Sequence, residues 1–184
     1  MAHTKVLIVA NWKMYPQSIE EARAVARRTE SLLKTRKHIS CIVCPPAPFI
    51  ADIARAALRR KVVRIGAQTV HGEHEGAHTG DFSASQAYSV GARYAIIGHA
   101  ERRALGESNT DVAKKVFMAL TTGLNPILCV GERERDSHGA FLKFVAAQIT
   151  EGMSLVPQHQ RGKIIIAYEP VYAIGAPKPP LESE

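Results

Sequence analysis

The sequence predicts an α/β protein whose parallel strands form a (β/α) barrel of about six units, and three features carry that prediction. Six short apolar runs alternate with five helical patterns along 184 residues, with no compositional break to mark a linker. The runs are unbroken, as strands buried on both faces require, and their alternation with helices implies right-handed crossovers. After the first run comes Asn11-Trp12-Lys13-Met14, where an open nucleotide-binding sheet places a glycine-rich phosphate turn. One domain is expected over 1–176, with 177–184 a tail or the start of a truncated helix.

Lys5 to Ala10 reads as the first strand. Ser18-Ile19-Glu20-Glu21 is a capping box opening a helix with Ala22, Val25, Ala26, Thr29, Leu32 and Leu33 at helical spacing; Arg36 and Lys37 suit its negative end. Ile39 to Cys44 is the second strand, stopped by Pro45-Pro46, and Phe49 to Leu58 a short helix. Val62 to Ala67 is the third strand. A polar loop from Gln68 to Gly80 leads to a helix near Ser83 to Val90. Arg93 to Ile97 is strand four. Ser108 to Asp111 caps a helix carrying Val112, Val116 and Leu120, with Gly123 at its end. Asn125 to Val130 is strand five, a helix from Ser137 to Gly152 carries Leu142, Val145 and Ile149, and Lys163 to Tyr168 is strand six.

Composition narrows the function classes. The net charge of +7 comes from scattered pairs such as Arg27-Arg28 and Arg102-Arg103, without interleaved aromatics to stack on bases, so no nucleic-acid partner is expected. No apolar stretch approaches a membrane span, and no signal-peptide core follows Met1. Three cysteines suit a reducing, cytoplasmic compartment. Cys41 and Cys44 have redox-motif spacing, yet residues three apart on a strand face opposite sides, which makes them structural. His71, His74 and His78, with Glu73 and Glu75, could form a metal clip; unliganded loop histidines are the expected state.

Barrel enzymes gather their chemistry at the C-terminal strand ends. Here those ends supply Asn11 and Lys13, then His99, then Glu169. An amide, an ammonium, an imidazole and a carboxylate suit proton abstraction beside a carbonyl, with Glu169 as base, His99 polarising the carbonyl and Lys13 stabilising the enediolate. Such chemistry needs no metal or organic cofactor.

Four segments, in order, carry a resemblance: Asn11-Trp12-Lys13-Met14, Gly98-His99-Ala100-Glu101-Arg102-Arg103, Cys129-Val130-Gly131-Glu132-Arg133, and Ala167-Tyr168-Glu169-Pro170-Val171-Tyr172-Ala173-Ile174-Gly175. The sequence resembles the triosephosphate isomerase family. The resemblance implies a TIM (β/α)₈ barrel, interconversion of dihydroxyacetone phosphate and D-glyceraldehyde 3-phosphate in glycolysis and gluconeogenesis, and a homodimer joined through loop 68–82. It implies Glu169 as the base, His99 as the electrophile, and Asn11 and Lys13 as substrate contacts. Glu101 would place Lys13, and a lid from Pro170 to about Ala176 would bring the Gly175 amide to the phosphate. A glutamate base beside a neutral histidine and a closing lid are general features of that family, and the resemblance implies them here.

Several positions depart from the family pattern. Such barrels take about 250 residues, so strands seven and eight are expected to be missing, leaving the first and sixth strands as edges. Low stability and little isomerase activity follow as expectations. Ala100 stands where a serine is usual, Tyr172 where the lid has tryptophan, and Tyr15 where asparagine is commoner. Pro177 stiffens the far lid hinge, and His78 replaces a bulkier apolar residue in the dimer loop.

Overall fold

Short runs rich in Val and Ile form the strands, and capped helices return the chain between them. The computed structural model describes residues 5–58, 62–136 and 138–174. The strands are β1 (Val6–Asn11), β2 (Ile39–Cys44), β3 (Val63–Ala67), β4 (Tyr94–Ile97), β5 (Asn125–Val130) and β6 (Ile165–Tyr168). They lie side by side in chain order, each pair parallel. The sheet curls into a partial barrel whose outer strands are β1 and β6. Asn11 lies opposite Cys44, and Val130 opposite Tyr168, so the C-terminal ends share one rim.

The described residues hold six α-helices where five were expected: α1 (Ile19–Leu33), α2 (Ile50–Leu58), α3 (Ala84–Ser89), α4 (Ala100–Ala104), α5 (Asn109–Thr121) and α6 (Ala140–Gly152). The additional one, α4, is a single turn after His99, too short for periodicity to reveal. Among the described residues, no helix is long and apolar enough to cross a membrane.

Two apolar layers follow from the period-2 alternation of the strands. On the outer face, Cys41, Val43, Ile65, Ile97 and Leu128 pack against Ala22 and Ala26 of α1, Ile53 of α2, and Val112 and Val116 of α5. On the inner face, Ile42, Cys44, Tyr94, Ile96, Ile127 and Cys129 gather with Val9, Ile165 and Ala167. Cys41 and Cys44 therefore point to opposite faces, and all three thiols are free.

Local chemistry accounts for most helix starts. Ser18 Oγ accepts the Glu21 N–H, but Glu21 Oε2 accepts from Gln17 N, one residue before the position a closed capping box requires. Boxes do close at Ser83–Gln86 and Ser108–Asp111. α6 begins at Ala140, later than expected, because Asp136 takes the N–H groups of His138, Ala140 and Phe141 and sets the first turn. Val25, Leu32 and Leu142, read as core-facing, are exposed. They lie on α1 and α6, which cover the two ends of the sheet; among the described residues the main helix neighbour of α1 is α2 and that of α6 is α5.

Candidate active site

The rim is built from three strand ends. Asn11 closes β1, and its side chain accepts the Lys13 N–H at 2.9 Å. This turn puts Lys13 at φ 54, a left-handed conformation that non-glycine residues adopt rarely and mostly where surroundings enforce it. The enforcing group is Gln68, whose amide donates to Lys13 O at 2.8 Å and Cys44 O at 2.9 Å. Gln68 is the first polar residue after β3; its position was legible in the sequence, its role was not.

Lys13 Nζ meets Glu101 Oε1 at 2.7 Å, and that hydrogen bond holds the Glu101 carboxyl below the usual range. Both partners are substantially exposed, so the pair orients the ammonium more than it stabilises the fold. Glu101 is also the bridge to His99: its N–H donates to His99 Nδ1 at 3.2 Å, and its Oε2 lies 3.8 Å from the same atom. With Nδ1 turned to the Glu101 N–H, the ring presents Nε2 toward the rim. His99 Nε2 lies 3.5 Å from Glu169 Oε2. Glu169 Oε1 accepts the Ala100 N–H at 2.9 Å, so the main chain supplies a donor at the position where a serine is usual. Lys13, Glu101, His99 and Glu169 thus form one continuous chain of contacts. A cavity lined by Lys13, Met14, Tyr15, Pro46, Ala47, Gln68 and Glu101 opens beside the ammonium.

Buried groups beneath the rim hold this arrangement. Gly98, at φ 73, donates to Glu107 Oε1, and its carbonyl accepts from Arg103 Nε at 2.7 Å. Glu107 in turn meets Lys115 Nζ at 2.7 Å. Gly131 allows closest approach: a Cβ there would stand 1.8 Å from the Glu169 carbonyl oxygen. Burial pushes the Cys129 thiol far up, with the Glu169 carboxylate adding to it, and pushes Cys44 up to about 12. Glu132, quoted in the motif without a role, is 2% exposed and accepts from the Tyr168 hydroxyl.

In loop 68–82 the His71 and His78 rings stack at 3.9 Å, and His78 bonds Glu73. Among the described residues no group of three or more His, Cys, Asp or Glu could hold a metal ion. Gly175, expected to reach a phosphate, and the segment 177–184 lie outside the described residues.

Known proteins resemble this chain in sequence and fold. A family model for triosephosphate isomerase matches residues 6–184. Triosephosphate isomerase of Carboxydothermus hydrogenoformans is 40% identical over 176 residues, covering 95% of this chain and 69% of its own. That of Porphyromonas gingivalis is 42% identical, covering 95% and 70%. The crystal structure of triosephosphate isomerase from Bartonella henselae superposes with a TM-score of 0.76 at 33% identity, covering 92% of this chain and 68% of that one. With the family model matched over residues 6–184 and relatives at 40–42% identity along 95% of its length, the chain belongs to the triosephosphate isomerase family.

Proposed function

We propose that the rim catalyses interconversion of dihydroxyacetone phosphate and D-glyceraldehyde 3-phosphate through an enediolate, a step of glycolysis and gluconeogenesis. The reading is carried by one observation, the unbroken sequence of contacts Lys13–Glu101–His99–Glu169. Glu169 takes the proton from the carbon beside the carbonyl and returns it to the neighbouring carbon. The neutral His99 donates from Nε2 to the carbonyl oxygen and moves protons between the two oxygens. Lys13, with Asn11 fixing its turn, stabilises the negative charge that develops there. No cofactor enters the scheme. Ala100 N–H holds Glu169 in a resting position, which substrate entry exchanges for contact with the reacting carbon. The domain assignment, one unit over 1–176, belongs to the same proposal.

The dimer belongs to it as well. Met14 and Tyr15, which line the cavity beside Lys13, are largely exposed. Loop 68–82 of a second copy is the proposed occupant.

The open sheet favours a second reading, a catalytically impaired or inactive partial barrel. Asn11 and Glu169 sit at the ends of the two outer strands, each paired on one side only among the described residues. Turnover of glyceraldehyde 3-phosphate by purified, monodisperse protein tests both. Isomerisation that disappears in Glu169→Gln supports the first. Folded protein with no turnover above the Glu169→Gln variant overturns it and leaves the second.

A further inference from the structure

Arg135 is not among the rim residues, yet it touches both chain segments that flank the base. Its Nη2 donates to the Tyr168 hydroxyl at 2.7 Å and to Glu132 Oε1 at 3.1 Å, with Nε on the same carboxylate oxygen at 3.3 Å. The guanidinium also lies over the Phe141 ring at 4.5 Å and the Tyr172 ring at 5.5 Å, within reach of a cation–π attraction. Tyr168 immediately precedes Glu169, and Tyr172 stands in the turn Val171–Ala173 just after it. The backbone is fastened to the same place, since Glu169 N donates to Val130 O and Val171 N to Glu132 O, each at 2.8 Å.

Two further facts give the cluster a direction. Glu132 is a buried carboxylate, and Arg135 is its ion-pair partner, so the pair is well ordered and costly to break from one side. The Tyr172 hydroxyl is buried, and the Arg135 guanidinium is the cation it faces. Arg135 therefore holds Tyr172 both by the plane of its ring and by the charge beside its polar end.

We propose that Arg135 is a positioning residue for the base and its lid, using one guanidinium to hold Tyr168 against Glu132 and to carry the Tyr172 ring. Glu169 is then fixed between two anchored aromatics, and the lid turn leaves only by slipping off the guanidinium face. Lysine cannot replace it fully, because a point ammonium offers neither the fork for Glu132 and Tyr168 nor a plane for the two rings. The role rests on the isomerase reading above, but its contacts do not.

The test uses the whole chain labelled with 3-fluorotyrosine, the Tyr172 fluorine resonance being assigned by Tyr172→Phe. In Arg135→Met this resonance should move to the position of a solvent-exposed tyrosine, and Arg135→Lys should fall between. With triose phosphate as substrate, kcat should fall about 10- to 100-fold in Arg135→Met, as a displaced base requires, while KM changes less than about threefold. Tyr172→Leu should lower kcat similarly, and the double variant should lose little more than either single one. An unmoved Tyr172 resonance in folded Arg135→Met overturns the proposal, as do fully additive losses in kcat. If Arg135→Met does not fold, Arg135→Lys decides: a wild-type fluorine spectrum overturns the proposal, and an intermediate one supports it. If the wild-type chain has no turnover, the isomerase reading fails, and the fluorine spectra still decide the role of Arg135.

Discussion

The middle of the sheet and its two outer strands are built from similar sequences and end in different states. β4 (Tyr-Ala-Ile-Ile) and most of β5 (Asn-Pro-Ile-Leu-Cys-Val) are buried. β1 (Val-Leu-Ile-Val-Ala-Asn) leaves Val6, Leu7 and Ile8 at 42–45% exposure, and β6 leaves Ile166 at 42%. Apolar content is therefore not what buries a strand; a neighbour on each side is. The contrast matters for chemistry because His99 follows a central strand while Lys13 and Glu169 follow the outer ones. The electrophile stands on the well-packed part of the fold, and the ammonium and the base on its margins.

The largest effect expected belongs to the margin. Glu169→Gln should reduce turnover by about 10²- to 10⁴-fold, the usual contribution of a general base, with the fold retained by circular dichroism. Unchanged turnover would remove Glu169 from the mechanism. Next comes the core contrast. Leu128→Ala on β5, fully buried, should cost about 2–5 kcal/mol in denaturant unfolding. Ile166→Ala on β6 should cost under about 1 kcal/mol, because much of that side chain already meets water. Equal costs would erase the distinction between centre and edge.

Gly131→Ala sharpens the comparison where the two regions meet. The added methyl would stand 1.8 Å from the Glu169 carbonyl oxygen, so β5 and the end of β6 must separate. Turnover should fall at least tenfold with a smaller loss of stability, and a crystal structure should show the Glu169 backbone displaced.

Acid should act most gently. Glu101 is held low by Lys13, Asp111 by the Ser108 side chain and backbone, and Asp136 by the N–H groups of Ala140 and Phe141. Carboxyls depressed in the folded state stabilise it above their unfolded values, and that contribution is lost as pH falls through the folded values. Denaturant midpoints should therefore be flat on this account above pH 4.5 and decline below it. A decline beginning near pH 6 would assign acid sensitivity to the histidines instead.

Much of this was legible in the order of residues. All six strands and the five longer helices announced themselves by apolar runs and caps, because burial on two faces and helix capping leave local marks. Asn11, Lys13, His99 and Glu169 were legible as polar residues at strand ends, and the resemblance pointed to Glu101. The supporting shell was not. Gln68, Glu107 and Arg135 act across separations of 55, 9 and 33 residues, toward Lys13, Gly98 and Tyr168. No local pattern encodes such a partner. Ala100 was harder still, since its contribution is a main-chain N–H that every residue but proline possesses. The exposed flanks of α1 and α6 were missed for a different reason: periodicity shows which residues could be covered, not whether anything lies there to cover them.

The two outer strands run in the same direction, and this limits what can bind between them. A β-hairpin presents one strand of each direction and cannot continue parallel pairing on both sides; strands that could do so need a crossover of a dozen or more residues apiece. Contact between copies has a handedness too. When β6 of one molecule meets β1 of the next, the contact joins unlike surfaces head to tail, so it either closes a ring or extends without limit.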